Sequence, residues 1–117
     1  MDEVALEKEN KEIVRRYKAL LRSCSSETTR EDKKLIRKAF NLAVEAHKDI
    51  RRHSGEPYIF HPIAVAQIVA KDIGLGATSI ACALLHDVVE DTHYTLNDIE
   101  KMFNPKIRQI IDGLTKI

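Results

Sequence analysis

The chain has 117 residues, of which 44% are hydrophobic and 32% are charged, so it is long enough for one domain with a single core. Its 19 basic and 18 acidic residues give a net charge of +1. This balance excludes general nucleic-acid and membrane binders, which need a basic excess. With the hydrophobic content, it also excludes a disordered chain, which combines low hydrophobicity with high net charge.

The two cysteines, Cys24 and Cys82, are far apart and form no CxxC motif. This spacing excludes a disulfide framework or a zinc ribbon, and Cys82 lies among apolar residues, which is typical of a core position. No apolar run approaches the roughly 18 residues of a membrane span, and the acidic start of the chain does not resemble a signal peptide. We therefore expect a cytoplasmic protein whose partners include neither nucleic acid nor membrane.

Hydrophobic periodicity predicts helices along the first half of the chain. One stripe covers residues 3–22 and consists of Leu6, Ile13, Val14, Tyr17, Leu20 and Leu21. A polar break follows at residues 23–26, and Thr28 with Glu31 fits a capping box at the start of the next helix. The apolar face of that helix consists of Ile36, Ala39, Phe40, Ala43, His47 and Ile50. On this face, His47 is interpreted as a satisfied core histidine.

The second half also reads as helices after a loop over residues 51–60. Pro62 suits a first helical turn and Gly74 suits a stop, which predicts a helix over 62–73. Further helices are predicted over 77–91, from Thr95, and from Asn104 to the end of the chain. No segment shows the alternation of a strand, so the pattern predicts an all-α fold. Ile117 continues the last apolar stripe, which indicates a chain cut from a longer one, or association of copies through this face.

Four polar residues share one side of the predicted helix 77–91. At 100° per residue, His86, Asp87, Glu90 and Asp91 occupy an arc of about 140°, with aliphatic residues opposite. Three carboxylates near a helix C-terminus repel one another and oppose the helix dipole, and no Lys or Arg lies three or four residues away. A divalent cation would resolve this conflict, and mixed nitrogen and oxygen donors suit Mn, Fe or Zn. The spacing alone is equally compatible with a solvated acidic helix end.

Two further candidates precede this helix. His61 comes directly before Pro62, which holds its backbone in an extended conformation and makes it a second candidate ligand, although alone it reads as a loop residue. Arg51, Arg52 and His53 are consecutive, and a guanidinium can pair with phosphate or stack on a base. The alternative is a solvated basic loop that pairs with Glu56.

Three segments together resemble the hydrolase domain of the RelA/SpoT family, whose enzymes make and destroy the alarmones ppGpp and pppGpp. They are residues 52–62 (RHSGEPYIFHP), 85–92 (LHDVVEDT) and 111–116 (IDGLTK). The likeness runs from about residue 39 to residue 117. It implies an all-helical HD-type phosphohydrolase domain over 28–117, incomplete at its C-terminus, after an N-terminal helix and linker over 1–27.

The resemblance also implies roles for individual residues. His61, His86 and Asp87 would bind one ion, usually manganese, while Glu90 and Asp91 would handle the attacking water. By the same resemblance, Arg52 would contact the guanine base, and His53 stands where the family often has Lys. The implied reaction removes the 3′-pyrophosphate and leaves GDP or GTP. The residue chemistry agrees, since a metal lowers the pKa of water and a nearby carboxylate can take its proton.

Two other functions are compatible with the sequence. The family has a further Asp ligand on a later helix, beyond residue 117, so the chain could be a non-catalytic module that binds nucleotide or regulates an attached synthetase. A different HD-type phosphohydrolase acting on another nucleotide is the third hypothesis. The loop over residues 52–62 argues against it, because that loop is the part specific to the RelA/SpoT family.

Overall fold

The computed structural model describes residues 2–115, which form α-helices joined by short loops. The helices are α1 (Glu3–Ser23), α2 (Arg30–Ala46), α3 (Phe60–Gln67), α4 (Ala77–Leu85), α5 (Val88–Asp91), α6 (Leu96–Met102) and α7 (Pro105–Thr115). A π-helical segment, Ile68–Ile73, extends α3 and ends at Gly74. The φ of Gly74 is 75°, which lies in the left-handed region that favours glycine. Within residues 2–115 there is no β-strand, only an isolated bridge between Arg51 and Pro57. The predicted all-α fold is confirmed.

One core joins these helices, with α4 near its centre. α4 packs against α2, α3 and α7, while α1 packs on α3 and α6 packs on α7. The largest fully buried hydrophobic side chains are Leu20, Ile36, Ile63, Leu84, Leu85, Val88, Ile99, Ile107 and Ile111. Because α4 is surrounded by other helices, its C-terminal end has a fixed position relative to α3 and to the loop before it.

Two predicted faces extend too far. On α1, Leu20 is buried, whereas Leu6 and Val14 are 49% and 47% exposed. Val14 follows Ile13 by one residue, so its side chain points about 100° away from the face that packs on the core. Similarly, α2 ends at Ala46, and Ile50 lies in the following loop. The predicted Ile117 end of the last stripe lies outside the described residues.

The start of α2 differs from the prediction by one residue. The N-cap is Thr29, whose hydroxyl accepts a hydrogen bond from the Asp32 amide, while the Asp32 carboxylate accepts one from the Thr29 amide, both at 3.0 Å. The predicted pair of Thr28 and Glu31 is therefore wrong. The Thr28 amide instead donates to the carbonyl of Ser25, so Thr28 belongs to the preceding turn.

The predicted helix starts at Thr95 and Asn104 are confirmed, whereas α3 begins at Phe60, two residues before the predicted start at Pro62. A capping box joins Thr95 and Asp98 at the start of α6. At the start of α7, the Asn104 side chain accepts a hydrogen bond from the Ile107 amide at 2.8 Å.

The single helix predicted over 77–91 is wrong, because α4 ends at Leu85 and α5 begins at Val88. His86 Nδ1 lies 2.6 Å from the carbonyl oxygen of Ala83. In a continuous helix that oxygen would accept the amide of Asp87. A side chain that competes for a backbone carbonyl in this way offers an alternative to the helical hydrogen bond. The interruption therefore falls at His86 and Asp87, two of the four polar residues that the sequence singled out.

Candidate metal centre and adjoining cleft

The three predicted metal ligands converge in the structure. His61 lies in the first turn of α3, so the extended backbone predicted from its position before Pro62 is wrong, while His86 and Asp87 lie between α4 and α5. One ligand atom from each residue lies within 4.8 Å of the others. Adjacent residues in a continuous helix do not face each other, yet His86 Nε2 is 3.0 Å from Asp87 Oδ2. The interruption between α4 and α5 explains how these two side chains reach one point.

The hydrogen bonds of this cluster fit a bound cation. The Ala83 carbonyl can only accept, so His86 Nδ1 carries the hydrogen, and a neutral imidazole then has its lone pair on Nε2. That lone pair faces the Asp87 carboxylate, and His61 Nε2 lies 3.8 Å from the same oxygen. Either a proton or a cation must separate these acceptors. Two imidazole nitrogens and one carboxylate, oriented by a backbone carbonyl, form a donor set suited to a divalent transition metal.

Tyr58 connects this cluster to its surroundings, a role that the sequence did not assign. Its hydroxyl donates to Asp87 Oδ2 at 2.7 Å. Burial, together with the nearby carboxylate of Asp87, raises the pKa of Tyr58, which keeps the hydroxyl protonated as a donor. Its ring stacks on His47 and meets His61 edge-on. The sequence feature that could have pointed to Tyr58 is its position three residues before His61, within the segment that resembles the RelA/SpoT family.

A cleft of about 560 Å³ adjoins the cluster. It is lined by Ile50, Arg51, Arg52, His53, Tyr58 and Asp91. The structure therefore places three of the predicted site residues, Arg52, His53 and Asp91, around one cleft. The same cleft is lined by Tyr58, which hydrogen-bonds to the candidate ligand Asp87. Glu90 is exposed on α5 and belongs neither to the metal cluster nor to the lining of this cleft.

The loop that carries Arg52 and His53 has a defined conformation. The Arg52 amide donates to the Glu56 carbonyl at 3.0 Å, and the Gly55 amide donates to the Arg52 carbonyl at 2.8 Å. Gly55 has a φ of 92°, a value that side chains disfavour and that makes glycine the suitable residue here. The Arg51 side chain pairs with Glu9 of α1.

His47 lies directly behind Tyr58. Its core position is confirmed, since it is 2% exposed and its Nδ1 is 2.9 Å from the Ala43 carbonyl. The prediction of a satisfied histidine is wrong, because Nε2 is buried without a hydrogen-bond partner among the described residues. His47 therefore supports the site by packing rather than through a complete hydrogen-bond network.

The model of the HD domain family matches residues 39–117, which include the metal cluster and the cleft-lining loop. The chain belongs to the HD domain family. An HD domain suggests metal-dependent phosphohydrolase activity. The cluster of His61, His86 and Asp87 could hold the divalent cation that such domains bind.

Curated relatives place this HD domain among RelA/SpoT-type proteins, as the sequence predicted. It is 43% identical over 83 residues to a probable GTP pyrophosphokinase of Mycobacterium leprae and to the GTP pyrophosphokinase rsh of Brucella melitensis, in each case over 71% of this chain. It is 44% identical over 89 residues, or 75% of this chain, to the putative chloroplastic GTP diphosphokinase RSH1 of Arabidopsis thaliana. The aligned regions cover 10%, 11% and 10% of these relatives, so the chain spans about a tenth of their length.

A helix that crosses a membrane needs about 20 predominantly apolar residues. Among residues 2–115, no helix is both long enough and apolar enough to cross a bilayer.

Proposed function

We propose that this HD domain is a divalent-metal-dependent 3′-pyrophosphohydrolase of ppGpp and pppGpp, which releases pyrophosphate and leaves GDP or GTP. The observation that carries the proposal is the connection through Tyr58 between a metal-capable cluster and a basic cleft. The names of the relatives point to guanosine phosphates as ligands. Those names describe pyrophosphate transfer, so hydrolysis rests on the donor set and on the resemblance of residues 52–62 and 85–92.

The metal would be held by His61, His86 and Asp87, and we propose Mn²⁺ because imidazole and carboxylate donors together suit it. A divalent cation bound there supplies positive charge for phosphate oxygens and lowers the pKa of the attacking water. Tyr58 orients the Asp87 carboxylate by donating to it. The Ala83 carbonyl orients the His86 ring in the same manner.

The cleft residues would bind the nucleotide and accept a proton. The planar guanidinium of Arg52 can stack on guanine or pair with phosphate, and His53 lies beside it in the same cleft. Asp91 is the better placed of the two proposed catalytic carboxylates, because it lines the cleft whereas Glu90 does not. We therefore assign proton acceptance from the attacking water to Asp91, with Glu90 as its neighbour on α5.

The hydrolase domain would extend over 28–117, after the N-terminal helix and linker of 1–27. The protein would act in the cytoplasm as part of the stringent response. Copies could associate through the apolar face of α7, where Leu114 is 46% exposed.

Pyrophosphate release from ppGpp tests the function directly. With added Mn²⁺ the chain should release pyrophosphate, and a chelator should stop the release. Replacing Asp87→Asn should reduce the rate to background, because it removes the carboxylate shared by both imidazoles and Tyr58. Asp72→Asn is the matched control, since Asp72 is exposed on the π-helical segment.

Three outcomes would contradict the proposal. One is release that persists in the Asp87→Asn variant, and another is release that is insensitive to chelation. The third is the absence of ppGpp hydrolysis by the unmodified chain with Mn²⁺, which would favour the non-catalytic module, since the family's further Asp ligand lies beyond residue 117. Hydrolysis of another nucleotide in that last case would instead support the different HD-type phosphohydrolase.

A further inference from the structure

An ion pair connects α1 to the loop that lines the cleft. Both oxygens of Glu9 accept hydrogen bonds from Arg51, from Nη2 at 2.7 Å and from Nη1 at 2.9 Å. Glu9 lies outside the region of 39–117 that matches the HD domain family. A segment beyond the family match therefore contacts the proposed nucleotide-binding loop.

The same guanidinium also holds the tip of the loop. Arg51 Nη1 donates to the carbonyl of Gly55 at 2.7 Å. Arg51 and Gly55 flank Arg52 and His53 in the chain, so one side chain joins both sides of the turn that presents them. Paired hydrogen bonds between a planar guanidinium and a carboxylate fix orientation as well as distance. Glu9 consequently sets the orientation of the group that holds the turn.

Glu9 is charged and lies outside both the cleft and the metal cluster. The hydrogen bond from Arg51 lowers the pKa of Glu9, so the carboxylate is ionised at neutral pH. Glu9 does not line the cleft of about 560 Å³ and is not a member of the metal cluster. Its direct connection to the cleft is therefore its ion pair with Arg51 of the loop.

We propose that Glu9 is a positioning residue for nucleotide binding, because through Arg51 it holds the turn that presents Arg52 and His53. This inference rests on the proposed function for the identity of the ligand. Loss of the Glu9 charge loosens the loop before the nucleotide binds, whereas the metal ligands and Asp91 are unchanged. The expected signature is a higher KM with an unchanged kcat.

The first experiment compares Glu9→Gln with Glu7→Gln in ppGpp hydrolysis with Mn²⁺. Glu7 is a matched control, because it pairs with Lys11 inside α1 and does not contact the loop. Glu9→Gln should raise KM by about two- to fivefold, the range expected for loss of a partly exposed ion pair, with kcat unchanged. Arg51→Gln should raise KM at least as much, and adding Glu9→Gln to it should cause no further increase. An unchanged KM, or an equal loss in kcat, would overturn the positioning role.

Amide hydrogen exchange of the nucleotide-free chain gives a readout that does not depend on the substrate. In Glu9→Gln, the amides of Arg52, Gly55 and Tyr58 should exchange faster, whereas the amide of Leu84 in α4 should not change. If the unmodified chain neither hydrolyses nor binds ppGpp, the proposed function is wrong. The amide hydrogen exchange then tests the connection of α1 to the loop by itself. Faster exchange then supports the connection of α1 to the loop, and unchanged exchange overturns it.

Discussion

At the scale of single residues, Tyr58 links the chemistry of the metal cluster to the cleft. Its hydroxyl bonds to the candidate ligand Asp87, and its ring packs between His47 and His61. Partners that hydrogen-bond to metal ligands fix their orientation and contribute to metal affinity. Tyr58 is therefore the residue whose removal should weaken metal binding without removing a ligand.

Replacing Tyr58→Phe tests this role. The variant keeps the ring that packs on His47 but loses the hydrogen bond to Asp87, so its Mn²⁺ affinity should fall by about tenfold. Isothermal titration of the metal-free chain with Mn²⁺ measures this change. Tyr94→Phe, at another partly buried tyrosine, should bind Mn²⁺ like the unmodified chain. Equal affinity of the two variants would show that Tyr58 does not support the metal ligands.

Some residues of the site could be selected from the sequence, whereas their contacts with one another could not. Asp87, Glu90 and Asp91 could be selected because their like charges at a helix end break local rules, and His86 because it lies on the same side of that helix. Their convergence with His61 could not be predicted from spacing, since His86 follows His61 by 25 positions and the two meet only through helix packing. The resemblance supplied that link. The contact of Tyr58 with Asp87 connects α3's entry loop to the end of α4 and depends on how those elements pack.

At the scale of elements, the break between α4 and α5 shows a limit of periodicity. The apolar positions of 77–91 continue in one helical register, so the pattern predicted one helix. Competition by the His86 imidazole for the Ala83 carbonyl is a side-chain effect that leaves that pattern unchanged. Helix existence was thus predictable here, whereas the interruption that brings His86 beside Asp87 was not.

Helix boundaries show the same limit at the start of α2. Thr28 and Thr29 are each followed three residues later by an acidic residue, so the sequence offers two overlapping capping boxes. The turn that ends at Thr28 selects Thr29 as the N-cap, because the Thr28 amide donates its hydrogen bond to the carbonyl of Ser25. Such a choice depends on the path of the chain before the helix.

Substitution of the two threonines tests this assignment. Thr29→Ala removes the side-chain acceptor for the Asp32 amide and should lower the free energy of unfolding by about 1 kcal/mol. Thr28→Ala should change it by less than about 0.5 kcal/mol, as for an ordinary substitution outside a cap. Urea denaturation followed by circular dichroism measures both. A larger loss for Thr28→Ala would place the cap where the sequence first suggested it.

At the scale of the whole molecule, α1 belongs to the same core as the helices that carry the site. Leu20 is fully buried, and Tyr17 stacks on Phe40 of α2 with ring centroids 4.2 Å apart. The Arg16 guanidinium lies 3.9 Å from the centroid of the Phe60 ring, next to His61. These contacts indicate that α1 unfolds together with α2 and α3, although the family match begins only at residue 39.

Leu20→Ala provides the test of this shared core. Removing a fully buried leucine should lower the free energy of unfolding by about 2–4 kcal/mol, whereas Val14→Ala, at an exposed position of the same helix, should change it by less than about 0.5 kcal/mol. Circular dichroism and tyrosine fluorescence should report coincident urea transitions for the Leu20→Ala variant. In a Leu20→Ala chain that also carries Tyr58→Phe and Tyr94→Phe, Tyr17 of α1 is the remaining tyrosine, so an earlier fluorescence transition there would show that α1 separates first. The Glu9 ion pair would then be lost before the fold of the metal cluster, and α1 could not hold the loop under conditions where the remaining helices persist.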